Sequence, residues 1–185
     1  PGKPLVELTS ASGRARSLIR RSWDAARAVG GIDRVVVATD DDRIRVHAEG
    51  FGAEVVMTAP ACRNGTERCA EAVGTMGISP EIVVNLQGDA PLTPAWFVEE
   101  LVAGLRAAPR SDVATPVLRC SGRMRAELIA DRHAGRVGGT TAVFGHDMQA
   151  LYFSKEVIPF ASDDVGVYAC TSTHRICLPR SRKRN

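Results

Sequence analysis

Aromatic residues are scarce in this sequence, at 5% of the total. No window holds the roughly 18 uncharged apolar residues that a membrane-spanning helix requires. No basic start followed by a short apolar run marks a secretory leader. These absences point to a cytoplasmic protein, and an opening at Pro1 without a starting methionine reads as a piece of a longer sequence. The five cysteines, Cys62, Cys69, Cys120, Cys170 and Cys177, include no C-x-x-C pair and are odd in number. That argues against a disulfide framework and a structural zinc site, and predicts free thiols. His47, His133, His146 and His174 lack metal-ligand spacing and read as surface residues. "GRVGGTTAVF" (135–144) has adjacent glycines but does not open a helix after a strand, so a turn is the better reading. Ser154 has no nearby His/Asp partner and does not read as a nucleophile. No internal repeat or low-complexity block is present.

What is there is ordinary globular composition, 44% hydrophobic and 24% charged over 185 residues, enough for one domain with its own core. The net charge of +3 is uneven: "HRICLPRSRKRN" holds Arg175, Arg180, Arg182, Lys183 and Arg184 and no acid. A basic run without interleaved aromatics reads as a solvated, disordered end rather than a nucleic-acid surface.

Strands and helices alternate over the first two thirds. "SLIRRSWDAARAV" (17–29) sets Leu18, Ile19, Ser22, Trp23 and Ala26 on one helical face. "DRVVVATD" is a β-branched strand ending in acids. Asp40, Asp41 and Asp42 then open a helix to about Gly50, where acids offset the helix dipole. "AEVVMT" (53–58) is the next strand. Asn64, with Glu67 three residues on, predicts a reciprocal N-cap for a helix through Thr75. "IVVNLQ" is a strand, and "TPAWFVEELVAGLRAA" a helix with Pro94 at its first position. This order predicts an α/β fold, a Rossmann-like, mostly parallel sheet with helices on both faces. "DVATPVLRC", "VGGTTAVF", "ALYFSKEVIPF" and "VGVYAC", with one short polar helix among them, predict a small antiparallel extension.

Three stretches can carry chemistry. In "PGKPL", Gly2 and Lys3 lie between prolines, and a lysine on such a turn suits polyphosphate as a point charge. In "NGTER", Asn64, Gly65, Thr66 and the amides of a helix start suit a phosphate, ribose or base edge, with Arg68 adding a fork of donors. Simple helix capping explains the same residues. In "QGDAP", Asp89 stands where a buried strand surfaces, the usual ligand side of an open α/β sheet. A carboxylate there suits Mg²⁺, and a turn residue is the alternative.

"PGKPLVEL", "DRVVVATDDDRI", "FGAEVVMT", "NGTERCAEA", "VVNLQGDAPLTP", "ALYFSKEVIPF" and "VGVYA", in this order and spacing, resemble the 3-deoxy-manno-octulosonate (Kdo) cytidylyltransferase family. CMP-sialic acid synthetases share the fold and reaction type but are less similar at "NGTER" and "ALYFSKEVIP". The resemblance implies a nucleotide-diphospho-sugar transferase fold, a homodimer, and a role in lipopolysaccharide biosynthesis. The reaction it implies is attack of the anomeric hydroxyl of Kdo on the α-phosphate of CTP. By the same resemblance Lys3 is the phosphate-binding lysine and Asp89 the Mg²⁺ ligand. Gly2, Asn64, Gly65, Thr66 and Arg68 fall to the nucleotide, and Gln87, Pro91 and Tyr168 to the sugar.

The sequence departs from that pattern in three places. The family's first strand, with its arginine-bearing loop, does not precede "PGKPL". Since the first strand of a doubly wound sheet lies near its middle, two neighbours should be left with unpaired edges and an open core. Asp164 stands where the family carries histidine before the tyrosine, and a carboxylate there would repel a sugar acid. Resemblance ends after Ala169, before the family's second magnesium-binding aspartate. Residues 1–169 are therefore read as an incomplete cytidylyltransferase domain and 170–185 as a basic, disordered or out-of-frame tail. A catalytically inactive nucleotide-binding remnant is the alternative to an enzyme.

Overall fold

A computed structural model describes residues 2–136, 138–159, 167–170 and 174–177. The elements in chain order are a 3-10 turn at Lys3–Leu5, β1 (Glu7–Thr9), β2 (Ala15–Ser17), α1 (Leu18–Arg27), β3 (Val36–Thr39), α2 (Asp42–Glu49), β4 (Glu54–Met57) and α3 (Gly65–Thr75). There follow β5 (Val83–Leu86), α4 (Ala95–Ala107), β6 (Val113–Ala114), β7 (Val117–Arg119), α5 (Gly122–His133), β8 (Thr140–Phe144), β9 (Ala150–Ser154), β10 (Tyr168–Cys170) and β11 (His174–Cys177). They form two compact units: one runs to Ala114 and includes β11, the other begins at Thr115. None of the described helices is long and apolar enough to cross a membrane.

In the first unit, Ser17 closes the β1–β2 hairpin and caps α1, its hydroxyl accepting from the Arg20 amide at 3.3 Å. The spacing of Leu18, Ile19, Ser22 and Trp23 buries one face of α1. Ile19 and Trp23 meet Val37, Ala48 and Ala53 in the core, flanked by Ile44 and Phe51. His47 is half-buried rather than a surface residue: its Nε2 lies 2.7 Å from the Ser17 hydroxyl and its ring meets Phe51 edge-on.

β3 and β4 pair in parallel, Val36 opposite Glu54 through Thr39 opposite Met57, with α2 in the crossover such a pair demands. Asp41 is the cap of α2, accepting from the Arg43 amide at 2.9 Å. The Arg43 guanidinium beside it holds the Asp41 carboxyl down at about 2. Because the folded value lies below the unfolded one, the stabilisation is present above about pH 4 and lost as pH falls through about 2. Asp41→Ala is therefore expected to lower Tm by a few degrees at neutral pH. In thermal melts the gap to the unsubstituted protein should close on acidification to about pH 2.

The α/β class stands, but the parallel part is narrower than the sequence pattern predicted. Among the described residues β3–β4 is the one parallel pair. β5 pairs antiparallel with β11, which also takes β6 on its far side. Residues 174–177, expected in a disordered tail, are thus a strand: among the described residues β5 has no parallel neighbour and its ladder is met by β11. Pro94 caps α4 from just outside rather than occupying its first position.

The second unit is the antiparallel extension, a sheet in the order β7-β10-β8-β9. Its helix, α5, has three full turns, capped by Ser121, whose hydroxyl accepts from the Met124 amide. Arg132 near the end of α5 donates to the carbonyls of Arg136 and Gly139, both at 2.7 Å, and so ties the helix to β8. Thr141 is fully buried, its hydroxyl donating to the Glu156 carbonyl at 2.6 Å.

Candidate functional site

Past β5 the chain turns through Gln87, Gly88 and Asp89, closed by the Ala90 amide donating to the Gln87 carbonyl at 3.1 Å. A Cβ on Gly88 would stand 2.9 Å from Ile19 Cδ1, so a larger residue would push this turn off α1. The same end of α1 anchors the chain start, the Leu18 amide donating to the Val6 carbonyl at 2.9 Å. Just upstream, Gly2 takes the left-handed φ of 92° that opens the 3-10 turn carrying Lys3. α1 thus holds two loops facing each other. Lys3 Nζ reaches Asp89 Oδ2 at 2.6 Å, across 86 residues of sequence.

The first turn of α3 lies nearby in the same unit. Asn64 Oδ1 accepts from the amides of Thr66 and Glu67, both at 3.0 Å, so the carboxamide acts as a cap. Glu67 accepts from the Arg63 amide at 2.9 Å, one residue before the backbone amide that a reciprocal cap uses. Gly65 leaves room for two amide groups. A Cβ there would lie 3.1 Å from Asn85 Nδ2 and 3.2 Å from Gln87 Nε2. Arg68 points back along the sheet, donating to Thr58 Oγ1 at 2.5 Å and pairing with Asp40 at 3.2 Å. Glu71 accepts from the Cys62 thiol at 2.9 Å, which pushes that thiol up and leaves it a poor nucleophile. Cys62, Cys69, Cys120 and Cys170 form no disulfide among the described residues.

The structure therefore brings Lys3 to Asp89, and Gly65 to Gln87, within one unit. Pro91 lies in the turn two residues beyond Asp89. Tyr168 belongs to the second unit, on β10 between β7 and β8, its ring edge-on to Phe144 at 4.8 Å. Asp164 and the basic run from Arg180 lie outside the described residues. Sequence reasoning missed Asn85, Asp40 and Thr58. The signal for Asn85 was a carboxamide inside an otherwise apolar strand. Asp40 was grouped with the cap, which belongs to Asp41 alone. Beneath these groups an open cleft of about 670 Å³ runs between β3 and β5, with Asp40, Asn64, Arg68 and Gln87 at its polar end.

Among the described residues no three His, Cys, Asp or Glu side chains converge as a metal-binding group. Asp89 still fits magnesium in one way: it offers a hard carboxylate oxygen to an ion that draws its other ligands from phosphates and water.

A family model described as cytidylyltransferase matches residues 1–184. The chain belongs to the cytidylyltransferase family. The chain is 47% identical over 160 residues to the 3-deoxy-manno-octulosonate cytidylyltransferase of Maricaulis maris, a match covering 86% of the chain and 60% of that relative. Against the enzyme of the same name from Chlamydia pneumoniae it is 37% identical, covering 91% of the chain and 64% of the relative. A solved structure of CMP:2-keto-3-deoxy-manno-octonic acid synthetase complexed with CTP superposes with a TM-score of 0.80 at 28% identity, covering 96% of this chain and 68% of that one. The chain thus spans about three fifths of the length of these curated relatives.

Proposed function

We infer that this family member binds CTP at the Lys3–Asp89 corner and transfers its cytidylyl group to 3-deoxy-manno-octulosonate, releasing pyrophosphate. The observation that carries this reading is the Lys3–Asp89 contact itself: an ammonium and a carboxylate drawn from opposite ends of the unit to the mouth of β5. The names of the relatives give the nucleotide and the sugar acid.

In the proposed reaction the anomeric hydroxyl attacks the α-phosphorus, the bond to the β-phosphate oxygen breaks, and pyrophosphate leaves. Such a transfer depends on positioning and on neutralising charge around phosphorus. Lys3 supplies one positive charge to the phosphates. Thr66 and Gly65 offer the start of α3, and Arg68 stiffens it by tying α3 to Thr58 and Asp40. The Gln87 carboxamide can donate to and accept from sugar hydroxyls, and Pro91 follows it in the same loop. Magnesium held by Asp89 would neutralise phosphate charge.

The same reading includes a cytoplasmic enzyme of lipopolysaccharide biosynthesis acting as a homodimer. Support for the dimer comes from β9, an edge strand with Leu151, Tyr152 and Phe153 exposed. One observation favours a second reading, a nucleotide-binding remnant without turnover: Asp89 belongs to no cluster of three or more potential metal-binding side chains among the described residues. Pyrophosphate release decides between them. Turnover with CTP, Kdo and Mg²⁺ together, and none when Kdo is omitted, is the expected result. CTP binding without release would establish the remnant.

A further inference from the structure

The 3-10 turn that carries Lys3 does not hold its own shape. It is three residues long, buries none of them, and no side chain caps it. The Lys3 side chain is largely exposed, so its aim is set by the backbone beneath it. That backbone packs against both α1 and α2. A polar contact that the proposed reaction does not use joins the start of α1 to α2: Ser17 Oγ and His47 Nε2 lie 2.7 Å apart.

Ser17 is buried where three elements meet. It ends β2 opposite Glu7 of β1, and its hydroxyl caps α1 by accepting from the Arg20 amide. The next residue, Leu18, donates its amide to the Val6 carbonyl at 2.9 Å, and the Val6 amide donates to the Lys3 carbonyl at 3.1 Å. A displacement of Ser17 therefore reaches Lys3 through two backbone hydrogen bonds. Because the Ser17 oxygen already accepts from an amide, its own O–H is free to donate, and a hydroxyl so buried needs an acceptor. His47 supplies one from α2, in the tautomer that leaves Nε2 unprotonated. Its ring stands edge-on to Phe51 at 5.6 Å, and the Phe51 carbonyl accepts from Arg20 Nη1 at 3.2 Å. The imidazole thus meets Ser17 in a fixed orientation. A nucleophile and its base do not explain the pair, since a nucleophile must reach substrate and this hydroxyl is shut away from it.

We propose that His47 is a positioning residue for Lys3, an assignment that rests on Lys3 meeting the phosphates of CTP. Acting through Ser17, His47 fixes the start of α1 against α2 and with it the turn that aims Lys3 at Asp89.

The test compares His47→Leu, which keeps apolar bulk, with His47→Gln, whose carboxamide can accept the same proton. In the full 185-residue chain, amide hydrogen exchange at Val6 and Leu18 should quicken about tenfold in His47→Leu and return to the unsubstituted rate in His47→Gln. CTP affinity, read by titration calorimetry with Mg²⁺ present, should fall about fivefold in His47→Leu and recover in His47→Gln. In a Lys3→Ala background His47→Leu should bring no further loss of affinity. Unchanged exchange at Val6 and Leu18 would overturn the assignment. Equal quickening at Glu67, whose amide lies on the Asn64 cap and reports general loosening, would do the same. So would a full additional loss of affinity in the Lys3→Ala background, or no recovery in His47→Gln. Quickened exchange with an affinity that Lys3→Ala leaves unchanged keeps the positioning and counts against Lys3 as a phosphate contact. Quickened exchange with an affinity that Lys3→Ala lowers and His47→Leu does not would overturn the positioning and leave that contact standing.

Discussion

Asp89→Asn is expected to cut pyrophosphate release by a factor on the order of 10²–10³ while leaving the fold intact. Asparagine keeps the size of the side chain and removes its charge, so the substitution isolates electrostatics from shape. The Asp89 side chain is 33% exposed and that of Lys3 71%, and ion pairs so open to water contribute at most about 1 kcal/mol. Circular dichroism and Tm should therefore barely change. Lys3→Ala removes the opposite charge and is expected to raise KM for CTP as well as lower kcat, because the lysine meets the phosphates in the ground state too. If the two side chains act as one unit on the phosphates, the double variant should lose no more than the worse single one. Unchanged turnover in Asp89→Asn would remove this carboxylate from the site.

The helix starts were legible because their determinants are local. Asp41 and Asn64 cap α2 and α3 through bonds spanning two or three residues, so the pattern in the sequence is the structure. Pairing between strands carries no such mark. The β1–β2 hairpin went unread, its strands mostly exposed and lacking the alternation of a half-buried sheet. β11 hid in a basic stretch without apolar periodicity, and only its place between β5 and β6 makes it a strand. "DVATPVLRC", read as one strand, is broken at Thr115-Pro116 into β6 and β7, which join different sheets. Proline has no amide to give a ladder, and that was the available warning. The site divides in the same way. The turn at Asp89 could be placed from the end of a buried strand, whereas its partner across 86 residues was reached by resemblance. The Arg68 contacts to Asp40 and Thr58 join three separate elements, and no spacing within any of them encodes that meeting.

Trp23→Ala is expected to destabilise the protein by about 3–5 kcal/mol, a large share of the roughly 5–15 kcal/mol typical of a folded domain. The indole is 8% exposed and packs within the cluster of Ile19, Val37, Ala48 and Ala53. Phe51 lies 5.3 Å away, and the guanidinium groups of Arg20 and Arg27 stand 5.1 and 4.9 Å from its ring centroid. Truncation removes apolar burial and both cation–π contacts together, and it widens a cleft that is already open on that side. Trp23→Phe should be milder, since a ring remains and the lost indole N–H has no partner among the described residues to leave unmet. Urea unfolding followed by circular dichroism measures both variants. A loss under about 1 kcal/mol for alanine would mean that α1 is not clamped by this residue. The consequence reaches the chemistry, because α1 anchors the Lys3 segment through Leu18 and supports the Asp89 turn through Ile19. At temperatures where Trp23→Ala is still folded, turnover should therefore fall further than the folded fraction does.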